Sequence, residues 1–384
     1  MEAYFDNSAT TRVFDCVKDI VVRTMTEDYG NAAAKHSMGV KAEQYIREAR
    51  AVIARSLKVR EKEIVFTSGG SESNNMALIG AAMANRRRGN HIITTNIEHS
   101  SVYNTLGFLE EQGFEITYLP VDGQGHISLE TLKEQLRPDT ILVSVMYVNN
   151  EVGAVEPVEE IGRVIKEISP ETLFHVDAIQ AYGKYEIRPG RQHIDLMSVS
   201  GHKLHAPKGV GFLYIRDKVK VKPLIYGGGQ QAGMRSGTEN VPGVAGLGAA
   251  AREIYTNHRE KTDYLYELKD YLMTRIREIE GCVVNSRPGR DSAPQIVSIS
   301  FEGVRSEVLL HALEERGIYV SSGSACSSSH PGVSGTLRGI GVRQDLLDAT
   351  LRFSFGLFNK KEEIDYAIDT LKELLPVLRR YRRG

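Results

Sequence analysis

The stretch Glu63-Ile64-Val65-Phe66-Thr67-Ser68-Gly69-Gly70-Ser71 changes character within a few residues. A short run of strand composition gives way to a polar turn with two adjacent glycines. Helical periodicity then runs from Glu72 to Arg88, and Gly89 closes it. Strand, glycine turn and helix start together make an anion site: glycines let the backbone approach closely, and unpaired N–H groups at the helix N-terminus point at a phosphate. The lysine of a Walker A loop is missing, so a nucleoside triphosphate is disfavoured and a single phosphate ester fits.

The same alternation continues outward. Upstream, helices are expected over 14–25 and 38–57, interrupted at Tyr29-Gly30-Asn31. Downstream, strands at 91–95, 115–119, 140–145 and 173–176 alternate with helices at 101–112, 129–135 and 158–168. Strands rich in Val, Ile and Leu between helices predict an α/β fold, a mainly parallel sheet covered on both faces. Ligands of such sheets sit at the carboxyl ends of the strands. Polar residues gather at those ends: 68–71, Glu98-His99, Asn149-Asn150-Glu151, Asp177 with Gln180, and Ser200-Gly201-His202-Lys203 after the apolar run 194–197.

Residues 1–12, ending Asp6-Asn7-Ser8-Ala9-Thr10-Thr11, read as a turn-rich arm packing with the C-terminal part, with cap and turn chemistry favoured for the small hydroxyls. A large domain is expected over 13–255. A smaller α+β domain is expected over 256–384, with strands near 283, 296–301, 318–320 and 351–354, helices at 306–316 and from Lys361, and a Ser/Gly-rich loop over 321–335.

The chain of 384 residues is long enough for two cores. Lys+Arg (48) and Asp+Glu (49) nearly cancel, so no global field recruits nucleic acid or an anionic membrane. No apolar run approaches membrane-spanning length, the N-terminus lacks a leader pattern, and the cytoplasm is the expected compartment. Cys16, Cys282 and Cys326 have no CxxC spacing, which argues against a disulfide framework or a zinc motif.

Lys203 follows a glycine turn, where a neutral amine can form a Schiff base with a carbonyl; an ordinary exposed lysine is the alternative. Asp177 ends an apolar strand, which is costly unless a cation meets it. A protonated pyridine nitrogen is such a cation, and Gln180 could address the same ring; otherwise Asp177 caps the next helix. His99 could stack on a flat cofactor and move protons, or satisfy a loop. His202 and His205 have HxxH spacing, but nothing nearby completes a metal set. The glycines of 227–233 have the wrong spacing for a dinucleotide fingerprint. Cys16 and Cys282 are expected to pack as small hydrophobes. Cys326 lies in a loop too polar to bury a thiol, with His330 placed to stabilise a thiolate. Arg352 interrupts an apolar strand and is suited to grip a carboxylate, or to make a structural ion pair. The basic tail 379–383 reads as a solvated helix end.

Taken in order, these motifs resemble the cysteine desulfurases of the NifS/IscS type, within the class-V aminotransferases of pyridoxal 5'-phosphate fold type I. The resemblance spans nearly the whole chain. It rests on residues 6–11 and 67–71, Glu98-His99, Val148-Asn149-Asn150-Glu151, His175-Val176-Asp177-Ala178 with Gln180, Ser200-Gly201-His202-Lys203, Arg235-Ser236-Gly237-Thr238, residues 321–326 and Leu351-Arg352. It implies a seven-stranded-type sheet in the large domain. It also implies that Lys203 bonds to the cofactor, Asp177 pairs the pyridine nitrogen, Gln180 meets the ring hydroxyl and His99 stacks on the ring. Gly70, Ser71, Ser200 and His202 would hold the phosphate, with Thr238 reaching it from the neighbouring subunit of a homodimer. Asn150 and Arg352 would orient L-cysteine, and Cys326 would take its sulfur as a persulfide, leaving alanine. An iron–sulfur scaffold or a tRNA-thiolation enzyme would be the acceptor. Rival readings are a selenocysteine lyase, a small aminotransferase, or a cofactor-free scaffold in sulfur trafficking. Where the family commonly has Gly-Asn-Pro-Ser-Ser before a histidine, this chain has Gly30-Asn31-Ala32-Ala33-Ala34-Lys35-His36, a less polar loop.

Overall fold

The computed structural model describes residues 1–322 and 334–380. Its centre is a seven-stranded sheet in the order Ile64–Thr67, Gly211–Ile215, Leu196–Ser200, Leu173–Asp177, Thr140–Met146, His91–Thr95 and Glu115–Leu119. Gly211–Ile215 runs antiparallel to both its neighbours, and the remaining pairs are parallel. The expected mainly parallel α/β sheet is therefore what forms.

Successive side chains on these strands point to opposite faces. Val65, Leu196 and Leu213 pack with Met76, Leu78, Leu106 and Leu109 of helices Gly70–Asn85 and Ser100–Glu111. Phe66, Val199 and Phe212 face the other way, toward Ile46, Ile53, Val164 and Leu247 of helices Ser37–Leu57, Val158–Ile168 and Val241–Tyr255. Both faces are thus covered, each such fully buried side chain contributing roughly 1.5–3 kcal/mol.

A second, four-stranded antiparallel sheet is built from Ser321–Ser322, Thr350–Ser354, Ile296–Phe301 and Cys282–Val284. Its core joins Phe301 and Phe353 to Leu268 of helix His258–Ile276, Leu309 of Ser306–Glu314 and Leu371 of Lys361–Arg380. The N-terminal residues belong here too: Ala3–Tyr4 pairs in parallel with Ile318–Tyr319, and Phe5 is buried among the same apolar side chains. The chain then crosses to the large sheet, where Thr11 donates to the carbonyl of His202 through its backbone N–H (2.9 Å) and its hydroxyl (2.8 Å).

Two expectations need correction. Cys16 does not pack as a small hydrophobe: helix Asp15–Thr26 turns Val17 and Thr24 inward, and Cys16 is exposed. Cys282 is partly buried, and burial pushes its thiol up to about 11. The strand read over 194–197 is Leu196–Ser200, so Ser198 and Ser200 lie in the sheet and not in a turn. The Ser198 hydroxyl is tolerable there because the sheet supplies a partner: Ser198 Oγ lies 2.9 Å from His175 Nε2, whose Nδ1 lies 2.8 Å from Ser144 Oγ, while Ser200 lines the cavity at the strand's end. Among the described residues no helix is long and apolar enough to cross a membrane.

Candidate active site

At the carboxyl ends of the strands lies a cavity of about 300 Å³. Its position follows from the backbone. Gly211 pairs with both Thr67 and Ser200, and a Cβ there would stand 2.4 Å from the Val199 carbonyl oxygen and 2.9 Å from Gly69 Cα. Only glycine lets the 67–70 turn lie this close to the strand that leads into Lys203.

Lys203 closes the short turn Gly201–Lys203 directly after strand Leu196–Ser200. Its ammonium donates to the carbonyls of Ser8 and Ala9, the latter at 2.6 Å, so the N-terminal arm forms one wall of the cavity. Behind it, the amine of Lys184 donates to the Lys203 carbonyl at 2.6 Å. Burial, reinforced by the nearby Lys203 charge, depresses the Lys184 amine to about 7.

Asp177 stands at the end of its strand, 4% exposed. Its Oδ1 accepts from the backbone N–H of Ile179 (3.0 Å) and its Oδ2 from the side-chain amide of Asn74 (2.8 Å). Burial pushes its carboxyl up, against the opposing pull of these hydrogen bonds and of His99 and Lys203. Gln180 lines the same cavity and donates to the Ser8 carbonyl at 3.0 Å.

His99 caps helix Ser100–Glu111: its Nδ1 accepts from the backbone N–H of Ser101 at 3.1 Å and lies 2.8 Å from Ser101 Oγ. Gly70, Ser71, Ser200 and His202 converge on the cavity from the glycine turn and the Lys203 turn. His202 is pushed down to about 4, first by burial and then by the Lys203 and Lys208 charges. His205 is committed elsewhere, with Nδ1 2.7 Å from the Arg12 carbonyl and its ring stacked on Phe14.

Arg352 enters from the second sheet. It donates to the Asn150 carbonyl (2.8 Å) and pairs with Asp6 (2.9 Å), while its Nε is buried without a partner among the described residues. The strand carrying Arg352 pairs with Ser321–Ser322, placing Ser321 opposite Arg352 at the entrance to the segment that contains Cys326. At the far end of that segment, Ser334 Oγ donates to the carboxylate of Glu151, next to Asn150. Burial pushes Glu151 up, with the Ser334 hydrogen bond and the Arg352 charge acting against it.

The structure thus brings Lys203, Asp177, Gln180, His99, Gly70, Ser71, Asn150, Ser200, His202 and Arg352 to one cavity. Thr238 is exposed and does not line it. Cys326 and His330 lie outside the described residues. Sequence reasoning missed Asn74, Ser101 and Ser8. Asn74 sits inside a helical pattern and Ser101 beside a capping residue, so neither stands out in one dimension. Ser8 was read as turn chemistry, yet its Oγ is buried at the cavity wall without a partner among the described residues. The loop after Gly30 is held by two caps: Asn31 Oδ1 accepts from Ala33 N at 2.9 Å, and His36 Nδ1 accepts from Gly39 N at 3.3 Å.

Comparison with known proteins gives a consistent picture. The family model for aminotransferase class-V matches residues 3–367. A protein named cysteine desulfurase IscS from Methanosarcina thermophila is 43% identical over 376 residues, covering 98% of this chain and 92% of its own. A solved NifS-like protein shares 39% identity and superposes with a TM-score of 0.93, covering 98% of this chain and 100% of its own. A structure described as SspA in complex with cysteine shares 35% identity with a TM-score of 0.82, covering 93% of this chain and 100% of its own.

Proposed function

The chain belongs to the class-V aminotransferases and, within them, to the pyridoxal-phosphate-dependent cysteine desulfurases, and on that premise we propose how its residues divide the work. The substrate is L-cysteine, the products are alanine and a persulfide on Cys326, and that sulfur passes to an iron–sulfur scaffold or a tRNA-thiolation enzyme in the cytoplasm.

The observation that carries this reading is the convergence of Lys203, Asp177 and Arg352 on one cavity. The donor set fits the cofactor. Asp177 is a buried carboxylate whose hydrogen bonds, among the described residues, come from neutral groups, which suits a pyridinium nitrogen. Ser8 Oγ and Arg352 Nε, without partners among the described residues, are polar atoms that burial leaves costly until a ligand meets them. When bound, pyridoxal phosphate supplies an electron sink for the carbon next to the substrate carboxylate.

In this reading Asp177 would keep the pyridine nitrogen protonated, Gln180 would meet the ring hydroxyl and His99 would face the ring. Gly70, Ser71, Ser200 and His202 would hold the phosphate. Arg352 and Asn150 fix the substrate carboxylate, and the Ser8 and Ala9 carbonyls orient the Lys203 amine. Lys203 would anchor the cofactor, and its free amine would take the proton from the substrate α-carbon and later return it. The Cys326 thiolate then attacks the substrate sulfur: an S–S bond forms, the carbon–sulfur bond breaks with its electron pair left on the organic fragment, and protonation of that fragment gives alanine.

A division near residue 255 separates the cofactor-holding part from a smaller part that presents Arg352 and Cys326. Thr238 completes the phosphate site of a second copy. Its exposure, and the exposed Ile225 and Tyr226 in the preceding glycine-rich segment, support a homodimer.

The test is a visible absorption spectrum of the purified protein before and after L-cysteine, with sulfide and alanine assayed together. We expect a yellow protein whose band shifts as both products form. Cys326→Ser should keep the band and lower sulfide release by about 100-fold or more, the scale of a missing nucleophile. Undiminished persulfide formation by that variant would refute the assignment.

A further inference from the structure

We propose that Asn74 and Ser101 are positioning residues that fix which nitrogen of His99 carries its proton and tie that imidazole to Asp177. The proposal rests on the reading of Asp177 and His99 as cofactor-flanking residues and adds what holds them in place. Its basis is a chain of hydrogen bonds whose directions are all determined.

Asn74 is fully buried on helix Gly70–Asn85. Its amide nitrogen donates to Asp177 Oδ2 at 2.8 Å and to Ser101 Oγ at 2.9 Å, while its Oδ1 is buried without a partner among the described residues. An ionised carboxylate only accepts, so it is the NH₂ group, not the carbonyl, that must face Asp177. The second hydrogen of that group then goes to Ser101, and Ser101 Oγ is an acceptor from Asn74.

At His99 the direction is set independently. A backbone N–H can only donate, and that of Ser101 points at His99 Nδ1 from 3.1 Å. Nδ1 therefore presents its lone pair. Ser101 Oγ, 2.8 Å from the same nitrogen and already accepting from Asn74, has its hydroxyl hydrogen left for Nδ1. Neutral His99 consequently carries its proton on Nε2.

This restricts the chemistry of His99. A general base needs an available lone pair; the one on Nδ1 is taken by Ser101, and Nε2 is protonated. His99 acts on the ligand as an Nε2–H hydrogen-bond donor, and abstraction of the substrate proton falls to Lys203. The same two residues make Asp177 and His99 one unit, because the amide that steadies the carboxylate also aims the serine hydroxyl. From the sequence these positions read as an ordinary helical asparagine and a serine after a cap.

The experiment compares the full-chain holoenzyme with its Ser101→Ala, Ser101→Thr and Asn74→Ala variants. Nitrogen-15 NMR of labelled histidine reads the tautomer, with the His99 signals assigned by their loss in His99→Gln. In the parent we expect the Nε2-protonated pattern. Ser101→Ala keeps the backbone N–H but loses the shorter of the two donors to Nδ1, so it should let in the Nδ1-protonated form as a minor population and lower kcat about tenfold with little change in KM, the scale on which partners orienting a metal-bound histidine act. Ser101→Thr, which keeps the hydroxyl, should restore both signals. Asn74→Ala should lower kcat similarly and also weaken cofactor retention, and adding Ser101→Ala to it should cost nothing further. An Nδ1-protonated parent, an unchanged tautomer in Ser101→Ala, or a threonine variant as impaired as the alanine one would overturn the proposal. The tautomer is read without turnover; a parent that made no alanine would overturn the desulfurase reading instead.

Discussion

Asp177 and Asp195 are buried almost equally, 4% and 0% exposed, at opposite ends of neighbouring strands. Asp195 lies at the amino ends with two cations of its own, Lys166 at 2.7 Å and Arg216 at 2.8 Å, and it accepts from the backbone N–H of Phe174 at 2.8 Å. Both cations also line a wide groove of about 1110 Å³. Among the described residues Asp177 has only an amide and a backbone N–H as hydrogen-bond donors, and burial pushes its carboxyl up. Asp195 is neutralised within the fold. On the proposed reading Asp177 is left short of positive charge, at a cost that an arriving cation would remove.

The contrast makes opposite predictions for the same substitution. Asp177→Asn should lower turnover by about 10²–10⁴-fold, the range associated with a lost acid–base function, and let the cofactor wash out, while the cofactor-free protein melts no earlier than its parent. Activity at saturating cofactor and a melting curve check both halves. Asp195→Asn should do the reverse: it strands Lys166 and Arg216 against a neutral amide and should cost about 3–5 kcal/mol in denaturant unfolding, with activity per folded molecule unchanged within about twofold.

A third buried carboxyl, with no cation paired to it among the described residues, serves as a control. Among those residues Glu156 accepts only from the backbone N–H of Ile127, at 3.2 and 3.3 Å, and burial pushes it up to about 8. The folded state keeps a proton that the unfolded chain releases at about 4.3, the usual glutamate value. Its stabilising contribution is therefore complete below that pH and is lost as pH rises through about 8. Glu156→Gln should remove this part of the decline. Unfolding free energies of both proteins across that window check it; parallel curves would mean that Glu156 is ionised in the fold.

The sheet was legible because its signals are local. The strands beginning at His91, Glu115 and Thr140 are short apolar runs between helical periods, and they form where the pattern places them. Lys203, Asp177 and His99 were legible because each follows a strand, where a polar residue is conspicuous. Ser198 misled because a serine reads as a turn until its partner across the sheet, His175, is known. Asn74 and Ser101 come from two different helices, 27 residues apart, and their meaning lies in the one hydrogen bond between them. No periodicity contains that information.

The arm has a consequence for how the protein is made. Ser8 and Ala9 hold Lys203, yet Ala3–Tyr4 is paired to Ile318–Tyr319, and the backbone N–H of Ser8 donates to Ser354 Oγ at 2.8 Å across a separation of 346 residues. On a ribosome residues 3–9 must wait for residues 318–354 to be made before this wall can close. The large sheet can condense while synthesis continues, but the pocket is finished only when these two segments meet. A nascent chain can thus acquire its scaffold early and the wall beside Lys203 late, and a fragment that ends before Arg352 leaves the cavity open on that side.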